Sequence, residues 1–385
     1  MPKVLLAFGT RPETIKLAPV YGELRARADG IRVLCCVTGQ HRDILDPFLR
    51  FFDIRPDYDL NILKENQTLS YVAARVLQGM TDILLREQPH LLIVQGDTTS
   101  AFAAALAAFH LKIPIAHVEA GLRSYDRFQP FPEEVNRTFI SHMADLNFCP
   151  TDRAAENLRR ERIDESSIRV TGNTVIDALF GTLRRLEETP AACNEPAAHG
   201  LPQGRMILVT GHRRENFDGG LADLSRSLVD LTDRFPDVTV VYSLHPNPHV
   251  RRQVEEILRN RDRIRIIAPP DYFGFVALMR DAYFIITDSG GIQEEAPSLR
   301  KPVLVARNVT ERPEAVEAGA AVLVGTDRGK IFKEAAKLLD DPDHYASMQV
   351  DESPFGDGRA AVRIVDEIEA FLGRAAAGSL RNQES

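Results

Sequence analysis

The stretch Tyr283-Phe284-Ile285-Ile286-Thr287-Asp288-Ser289-Gly290-Gly291-Ile292-Gln293-Glu294-Glu295 passes from an apolar run to a helical pattern through Ser-Gly-Gly. The run reads as a buried strand, and the glycines open a helix. Such a helix start presents unpaired backbone N–H groups and the positive end of the dipole, with no side chains to hold an anion away. That is a phosphate site in outline. Glu295, one turn further on, is placed to accept hydrogen bonds from ribose hydroxyls, and the two features together point to a nucleotide diphosphate. A plain strand-to-helix turn with acidic residues near the helix start accounts for the same letters. The rest of the chain has to decide.

On either side the same alternation recurs. Strands are expected at 3–8, 31–38, 90–95, 113–118 and 146–149, with helices over 14–28, 42–52, 69–87, 99–110, 152–161 and 174–187. Residues 189–204 hold three prolines and two glycines with no apolar period, and read as a linker or surface loop. Strands then resume at 206–210, 238–244, 263–267, 283–287, 302–306 and 321–324. Repetition of this kind makes a parallel sheet covered on both faces, and 385 residues exceed what one core holds. The expected fold is α/β, with two Rossmann-like domains whose parallel sheets face each other across a cleft. The first spans residues 1–172 and the second 173–358. A helix over 359–372 fits either domain and is set with the first, and the last dozen residues read as a disordered tail.

Composition narrows the function. With 44% hydrophobic and 26% charged residues the chain is an ordinary globular protein, and a net charge of −8 argues against non-specific nucleic-acid binding. No apolar stretch nears the ~20 residues of a membrane span, and the apolar run at the N-terminus is too short for a signal peptide, so a cytoplasmic protein is expected. The four cysteines, Cys35, Cys36, Cys149 and Cys193, lack metal or redox spacing; Cys35 and Cys36 should point to opposite faces of one strand. His245 and His249 are four apart, but Pro246 and Pro248 prevent a helix from converging them, so no metal is expected. No Gly-x-Gly-x-x-Gly is present and NAD is not indicated.

In an open parallel sheet, ligands bind beyond the carboxyl ends of the strands. Those ends carry Gly9-Thr10-Arg11, Gly96-Asp97, Glu119-Ala120-Gly121, Gly211-His212-Arg213-Arg214 and Asp288-Ser289-Gly290-Gly291. Any one could be simple turn chemistry, whereas all of them together in both halves suggest sugar on the first domain and nucleotide on the second. Arg11 and Lys16 could reach one anionic ligand, or Lys16 could lie on a solvated helix face. Glu133 and Arg137 fit either a site or an exposed i,i+4 pair worth about 0.3–0.5 kcal/mol.

Taken in order, Gly9-Thr10-Arg11-Pro12-Glu13, Gln40-His41-Arg42, Gly96-Asp97-Thr98-Thr99, His117-Val118-Glu119-Ala120-Gly121-Leu122-Arg123, Pro132-Glu133-Glu134, Gly172-Asn173-Thr174, Gly211-His212-Arg213-Arg214-Glu215-Asn216, Thr287 to Pro297 and Thr310-Glu311-Arg312-Pro313-Glu314 resemble the non-hydrolysing UDP-N-acetylglucosamine 2-epimerases. The resemblance runs from Val4 to about Gly358. It implies the glycosyltransferase-B arrangement, a cytosolic homodimer, and interconversion of UDP-N-acetylglucosamine and UDP-N-acetylmannosamine for cell-surface polysaccharide, without a redox cofactor. UDP leaves carbon 1 and a proton leaves carbon 2 to give 2-acetamidoglucal, and both return.

By this resemblance Asp97, Glu119 and Glu133 are the acid–base and cation-stabilising carboxylates, Arg137 supports the site and His212 meets the diphosphate. Arg11, Lys16, Phe275, Ser289, Gly290, Gly291, Glu295 and Arg312 match substrate-contacting positions. Gln40, Gln67, Glu134 and His245 match part of an allosteric site for a second UDP-sugar. The sequence departs there: Tyr242-Ser243-Leu244-His245-Pro246-Asn247-Pro248 stands where Tyr-Pro-Val-His-Leu-Asn-Pro is usual, and Pro270 replaces a residue that is Gln in some members. Relatives that use other UDP-2-acetamido sugars share these motifs, and glycosyltransferases share the fold. A non-catalytic nucleotide-sugar sensor would keep the Ser-Gly-Gly cradle and lose the carboxylates, all three of which are present.

Overall fold

The computed structural model describes residues 1–27, 30–39, 42–64, 66–188, 204–211, 219–244 and 248–381. The chain forms two compact units, one of Met1–Ala178 with Gly356–Ser385 and one of Leu179–Phe355.

In the first unit the elements alternate: β1 (Lys3–Phe8), α1 (Arg11–Ala26), β2 (Arg32–Val37), α2 (Arg42–Phe51), β3 (Tyr58–Asp59), α3 (Leu69–Glu87), β4 (Leu91–Gln95), α4 (Thr99–His110), β5 (Ile115–Val118), α5 (Glu133–Met143), β6 (Leu146–Cys149), α6 (Asp152–Arg160) and β7 (Ile168–Val170), followed by α7 (Thr174–Glu188), within which the unit ends. Every strand pair is parallel, in the order β3-β2-β1-β4-β5-β6-β7. Order reverses between β1 and β4, the switch point at which open sheets of this kind bind ligands.

Adjacent side chains of one strand serve two cores. Leu6, Phe8 and Cys35 pack with α1 on one face, while Leu5, Ala7 and Cys36 pack with α3 and α4 on the other. Cys35 and Cys36 therefore do point apart, and burial pushes the Cys36 and Cys149 thiols up to about 12. Cys193 and the expected linker at 189–203 lie outside the described residues.

The last helix, α15 (Ala360–Arg381), belongs to this unit. Its Ala361, Ile364, Val365, Ile368 and Leu372, at helical spacing, are buried with Leu17, Val20 and Leu24 of α1. At about 1.5–3 kcal/mol for each large buried side chain, this face contributes appreciably to the core. The helix continues through most of the segment read as a disordered tail. Arg374-Ala375-Ala376-Ala377 are good helix formers that prolong an already nucleated helix.

The second unit holds β8 (Arg205–Gly211), α8 (Gly220–Arg234), β9 (Val238–Leu244), α9 (Pro248–Leu258), β10 (Ile264–Ile267), α10 (Tyr272–Asp281), β11 (Phe284–Thr287), α11 (Gly290–Ser298), β12 (Val303–Val305), α12 (Pro313–Glu317), β13 (Ala321–Leu323), α13 (Arg328–Asp340) and α14 (Pro342–Ser347). Its sheet is also all parallel, ordered β10-β9-β8-β11-β12-β13, with the reversal between β8 and β11. Both units are Rossmann-like.

Two differences from the expected elements have local causes. Helix α1 begins at Arg11, three residues before the apolar pattern, because Pro12 suits a first turn and Glu13 reaches back to the Thr10 N–H. Strand β3 is only two residues long, too short to leave a pattern.

Candidate functional site

In the first unit the site grows from the ends of β4 and β5. After Gln95 the chain turns at Gly96, with φ +70°, and presents Asp97 before Thr98 caps α4 through the Ala101 N–H at 3.0 Å. After Val118 it turns at Glu119, φ +68°, a backbone region that non-glycine residues seldom occupy and that costs on the order of 1 kcal/mol. The Glu119 carboxylate is held from both sides: Lys16 Nζ meets Oε1 and Gln95 Nε2 meets Oε2, both at close range. Lys16 is buried, so the reading of it as a solvated helix face does not hold.

Helix α5 holds Asp97. Arg137 Nη2 lies 2.5 Å from Asp97 Oδ2, and Asn136 Nδ2 donates to the Asp97 carbonyl at 2.9 Å. Arg137 is buried, with Asp97 and Glu134 as ion-pair partners, so it is not half of an exposed pair. Glu133 opens α5, half-buried. One strand over, His117 Nε2 donates to the Gly96 carbonyl at 2.8 Å while its Nδ1 faces Ser141 Oγ at 3.3 Å. Complete burial pushes this imidazole down to about 3, so it is neutral and fixed in the Nε2–H tautomer by its carbonyl partner.

Glu134, which the resemblance matches to an allosteric site, is held within the first unit. Buried, it accepts the backbone N–H groups of Ser124 and Tyr125 at 3.0 and 2.8 Å and thereby anchors the loop before α5. Gln67 lies just before α3, half-buried. Arg11 is exposed, 6.0 Å above the Phe48 ring. Gln40, His212 and His245 lie outside the described residues.

In the second unit the stretch read as a cradle opens α11. Thr287 Oγ1, which shares a hydrogen bond with Thr210 Oγ1 across the switch point at 2.6 Å, accepts the Ser289 N–H at 3.0 Å. The Ser289 hydroxyl makes no capping hydrogen bond to the helix. A Cβ placed on Gly290 would meet nothing within 4 Å, and one on Gly291 only Glu295 Oε2 and Ser289 Oγ at 4.0 Å. Neither glycine is required by a positive φ or by its neighbours.

Around this helix start, Gln293 donates to the Ser289 carbonyl at 3.1 Å and accepts from Thr310 Oγ1 at 2.5 Å, and Thr310 Oγ1 accepts the Arg312 N–H at 3.0 Å. Arg312 also pairs with buried Glu294. Glu295 is buried and accepts from the Tyr272 hydroxyl at 2.9 Å, a phenol whose pKa burial raises well above its ordinary value. Phe275 lies half-buried in the first turn of α10.

Gln95, His117 and Asn136 receive no role from the sequence reading. The signal was present in the first two, polar residues inside the apolar strand runs Leu91–Gln95 and Ile115–Val118. Among the described residues, no cluster of His, Cys, Asp and Glu could hold a metal ion and no helix is long and apolar enough to cross a membrane.

The family model described as UDP-N-acetylglucosamine 2-epimerase matches residues 23–369. The chain belongs to this family. A UDP-N-acetylglucosamine 2-epimerase of Yersinia pestis is 48% identical over 370 residues, covering 95% of this chain and 98% of its own. The Escherichia coli K12 enzyme of the same name is 47% identical, with the same coverage of both chains. Among solved structures, the Neisseria meningitidis UDP-GlcNAc 2-epimerase bound to UDP-GlcNAc superposes with a TM-score of 0.89 at 44% identity, over 96% of this chain and all of that one. The two-domain fold of the UDP-N-acetylglucosamine 2-epimerases, of glycosyltransferase-B type, is thus that of this chain.

Proposed function

We propose that the protein interconverts UDP-N-acetylglucosamine and UDP-N-acetylmannosamine as a non-hydrolysing epimerase. The observation that carries this reading is the pair of carboxylates at neighbouring strand ends, Glu119 between Lys16 and Gln95 and Asp97 on Arg137. The bond from carbon 1 to the diphosphate oxygen breaks with its electron pair on UDP, and carbon 1 gains oxocarbenium character. A carboxylate takes the carbon 2 proton, the C1–C2 double bond of 2-acetamidoglucal forms, and return of a proton to the opposite face with re-addition of UDP gives the epimer. Asp97, Glu119 and Glu133 share the proton and charge work, Arg137 orients Asp97, and His212 meets the departing diphosphate.

The Ser289-Gly290-Gly291 helix start takes the diphosphate, with Glu295 toward the ribose and Phe275, Arg312, Arg11 and Lys16 as further contacts. Gln40, Gln67, Glu134 and His245 belong to a second UDP-sugar site in this reading; for Glu134 that role means holding the loop that faces the ligand. The working form is a cytoplasmic homodimer that needs no cofactor, metal, nucleic acid or membrane, and its product feeds cell-surface polysaccharide.

Proton NMR of UDP-N-acetylglucosamine incubated with the protein in D2O tests the reading. The manno epimer carrying deuterium at carbon 2 is expected. Free sugar plus UDP would replace epimerisation by hydrolysis, and an unchanged spectrum would move the search to other UDP-2-acetamido sugars and to glycosyl transfer.

A further inference from the structure

Glu13 is a carboxylate that the mechanism above does not use, yet it is 1% exposed and sits at the switch point of the first unit. Its Oε2 accepts the backbone N–H groups of Gly9 at 2.9 Å and Thr10 at 2.7 Å, and its Oε1 accepts the Thr98 hydroxyl at 2.7 Å. A capping interaction at the start of α1 accounts for the Thr10 bond alone. The other two tie the turn after β1 to the turn after β4, 85 residues apart in sequence. Thr98 passes the contact on, since the hydroxyl that donates to Glu13 also accepts the Ala101 N–H. Asp97 is the residue before Thr98. One turn along α1 from Glu13 is Lys16, the partner of Glu119.

The geometry points to Glu13 as a positioning residue that fixes Asp97 through Thr98, and Lys16 through the start of α1, for the proton transfers at carbon 2. This inference rests on the epimerase reading. A buried acceptor shared by three donors is directional: losing one oxygen leaves a buried donor unpaired, and the cheapest relief is movement of a loop. Displacement of a reacting group by about 1 Å costs about 100-fold in rate.

The test uses Glu13→Gln, Thr98→Val and Thr98→Ser with the full chain. For Glu13→Gln and Thr98→Val, kcat should fall about 100-fold with KM within about threefold of wild type, while Thr98→Ser, which keeps the hydroxyl, stays near wild type. The double variant Glu13→Gln/Thr98→Val should be no slower than the slower single variant, because both cut one link. A residue that only stabilises the fold would lower Tm and leave kcat per folded molecule unchanged. Wild-type kcat in Glu13→Gln and Thr98→Val, or losses that multiply in the double variant, would overturn the inference. If Glu13→Gln fails to fold, the Thr98 pair decides by the same criterion. Amide hydrogen exchange separates this outcome from failure of the epimerase reading. In Glu13→Gln without substrate, exchange at the Ala101 N–H, which Glu13 does not touch, should rise about tenfold. Were wild type inert toward UDP-N-acetylglucosamine, the reading would fall, and unchanged Ala101 exchange would overturn the brace on its own.

Discussion

At the switch point of the first domain, between β1 and β4, the polar groups already hold one another: Glu13 spans two turns, Lys16 and Gln95 grip Glu119, and Arg137 and Asn136 hold Asp97. At the equivalent point of the second domain, between β8 and β11, two threonine hydroxyls meet, and the helix start beyond them has an uncapped serine and open room over Gly290. The strand order is the same over six strands, and the first sheet adds β7 as a seventh. Groups that must stand at fixed distances from a reacting carbon gain from being locked before substrate arrives, since no reorganisation is then needed during reaction. A helix start proposed to take a diphosphate gains from the reverse, because its donors have to be vacant. One topology supports both uses, and the difference lies in which loops carry side chains and which carry none.

The largest effect that could break this contrast belongs to the carboxylates. Asp97→Asn and Glu119→Gln should each lower turnover by a factor of hundreds or more, on the order of 3 kcal/mol or more in transition-state stabilisation. UDP affinity measured by calorimetry should stay within about threefold, since the nucleotide is proposed to be read by the other domain. Wild-type turnover in either variant would remove that residue from the acid–base work. A large loss of UDP affinity would mean that the two domains do not divide the substrate as proposed.

A smaller effect sharpens the other side. Gly290→Ala puts a methyl group into room that the protein leaves empty, at an ordinary helical φ. Stability should hold or rise slightly, because alanine suits a helix better than glycine, while UDP affinity falls about tenfold from loss of close approach. Gly121→Ala is the control: its Cβ would lie 2.2 Å from the Ala154 carbonyl oxygen at φ +89°, so it should lower Tm strongly. Unchanged UDP binding in Gly290→Ala would leave the two glycines with no explanation in a ligand.

Much of this contrast was legible in the sequence, though unevenly. The proposed cradle of the second domain is contiguous, so Thr287 to Glu295 could be read as one local object. The strand ends that carry Asp97 and Glu119 were legible too, since apolar runs ending in Gly-Asp or Glu-Ala-Gly mark them. What holds those carboxylates was not: Gln95 lies 24 residues from Glu119, Asn136 is 39 from Asp97 and Lys16 is 103 from Glu119. Side-chain pairing over such separations is set by the sheet order, and no local period records it. Glu134 adds a contact of the same kind, since its hold on the Ser124 and Tyr125 N–H groups leaves no trace in the local sequence pattern.

The smallest predicted effect concerns a half-buried acid of the first domain that takes no part in the strand-end apparatus. Asp177 on α7 accepts the N–H groups of Ala360 and Ala361 at 3.2 and 2.8 Å and so caps α15, where the chain has just re-entered this domain. Burial raises its pKa from 3.8 to about 6, against the pull of those two bonds. The folded state therefore binds the proton more tightly than the unfolded chain, and this contribution to stability is complete below about pH 4 and is lost as pH rises through about 6. Asparagine caps a helix about as well as aspartate and does not titrate. The stability of Asp177→Asn relative to wild type should thus climb by on the order of 1 kcal/mol between pH 4 and 6 and then level off, with kcat unaffected at every pH. Parallel Tm curves for the two proteins across that window would show that Asp177 titrates as in the unfolded chain. A change in kcat would place it with Asp97 and Glu119, and the division of this domain's acids into those that act on substrate and those that hold the fold would need redrawing.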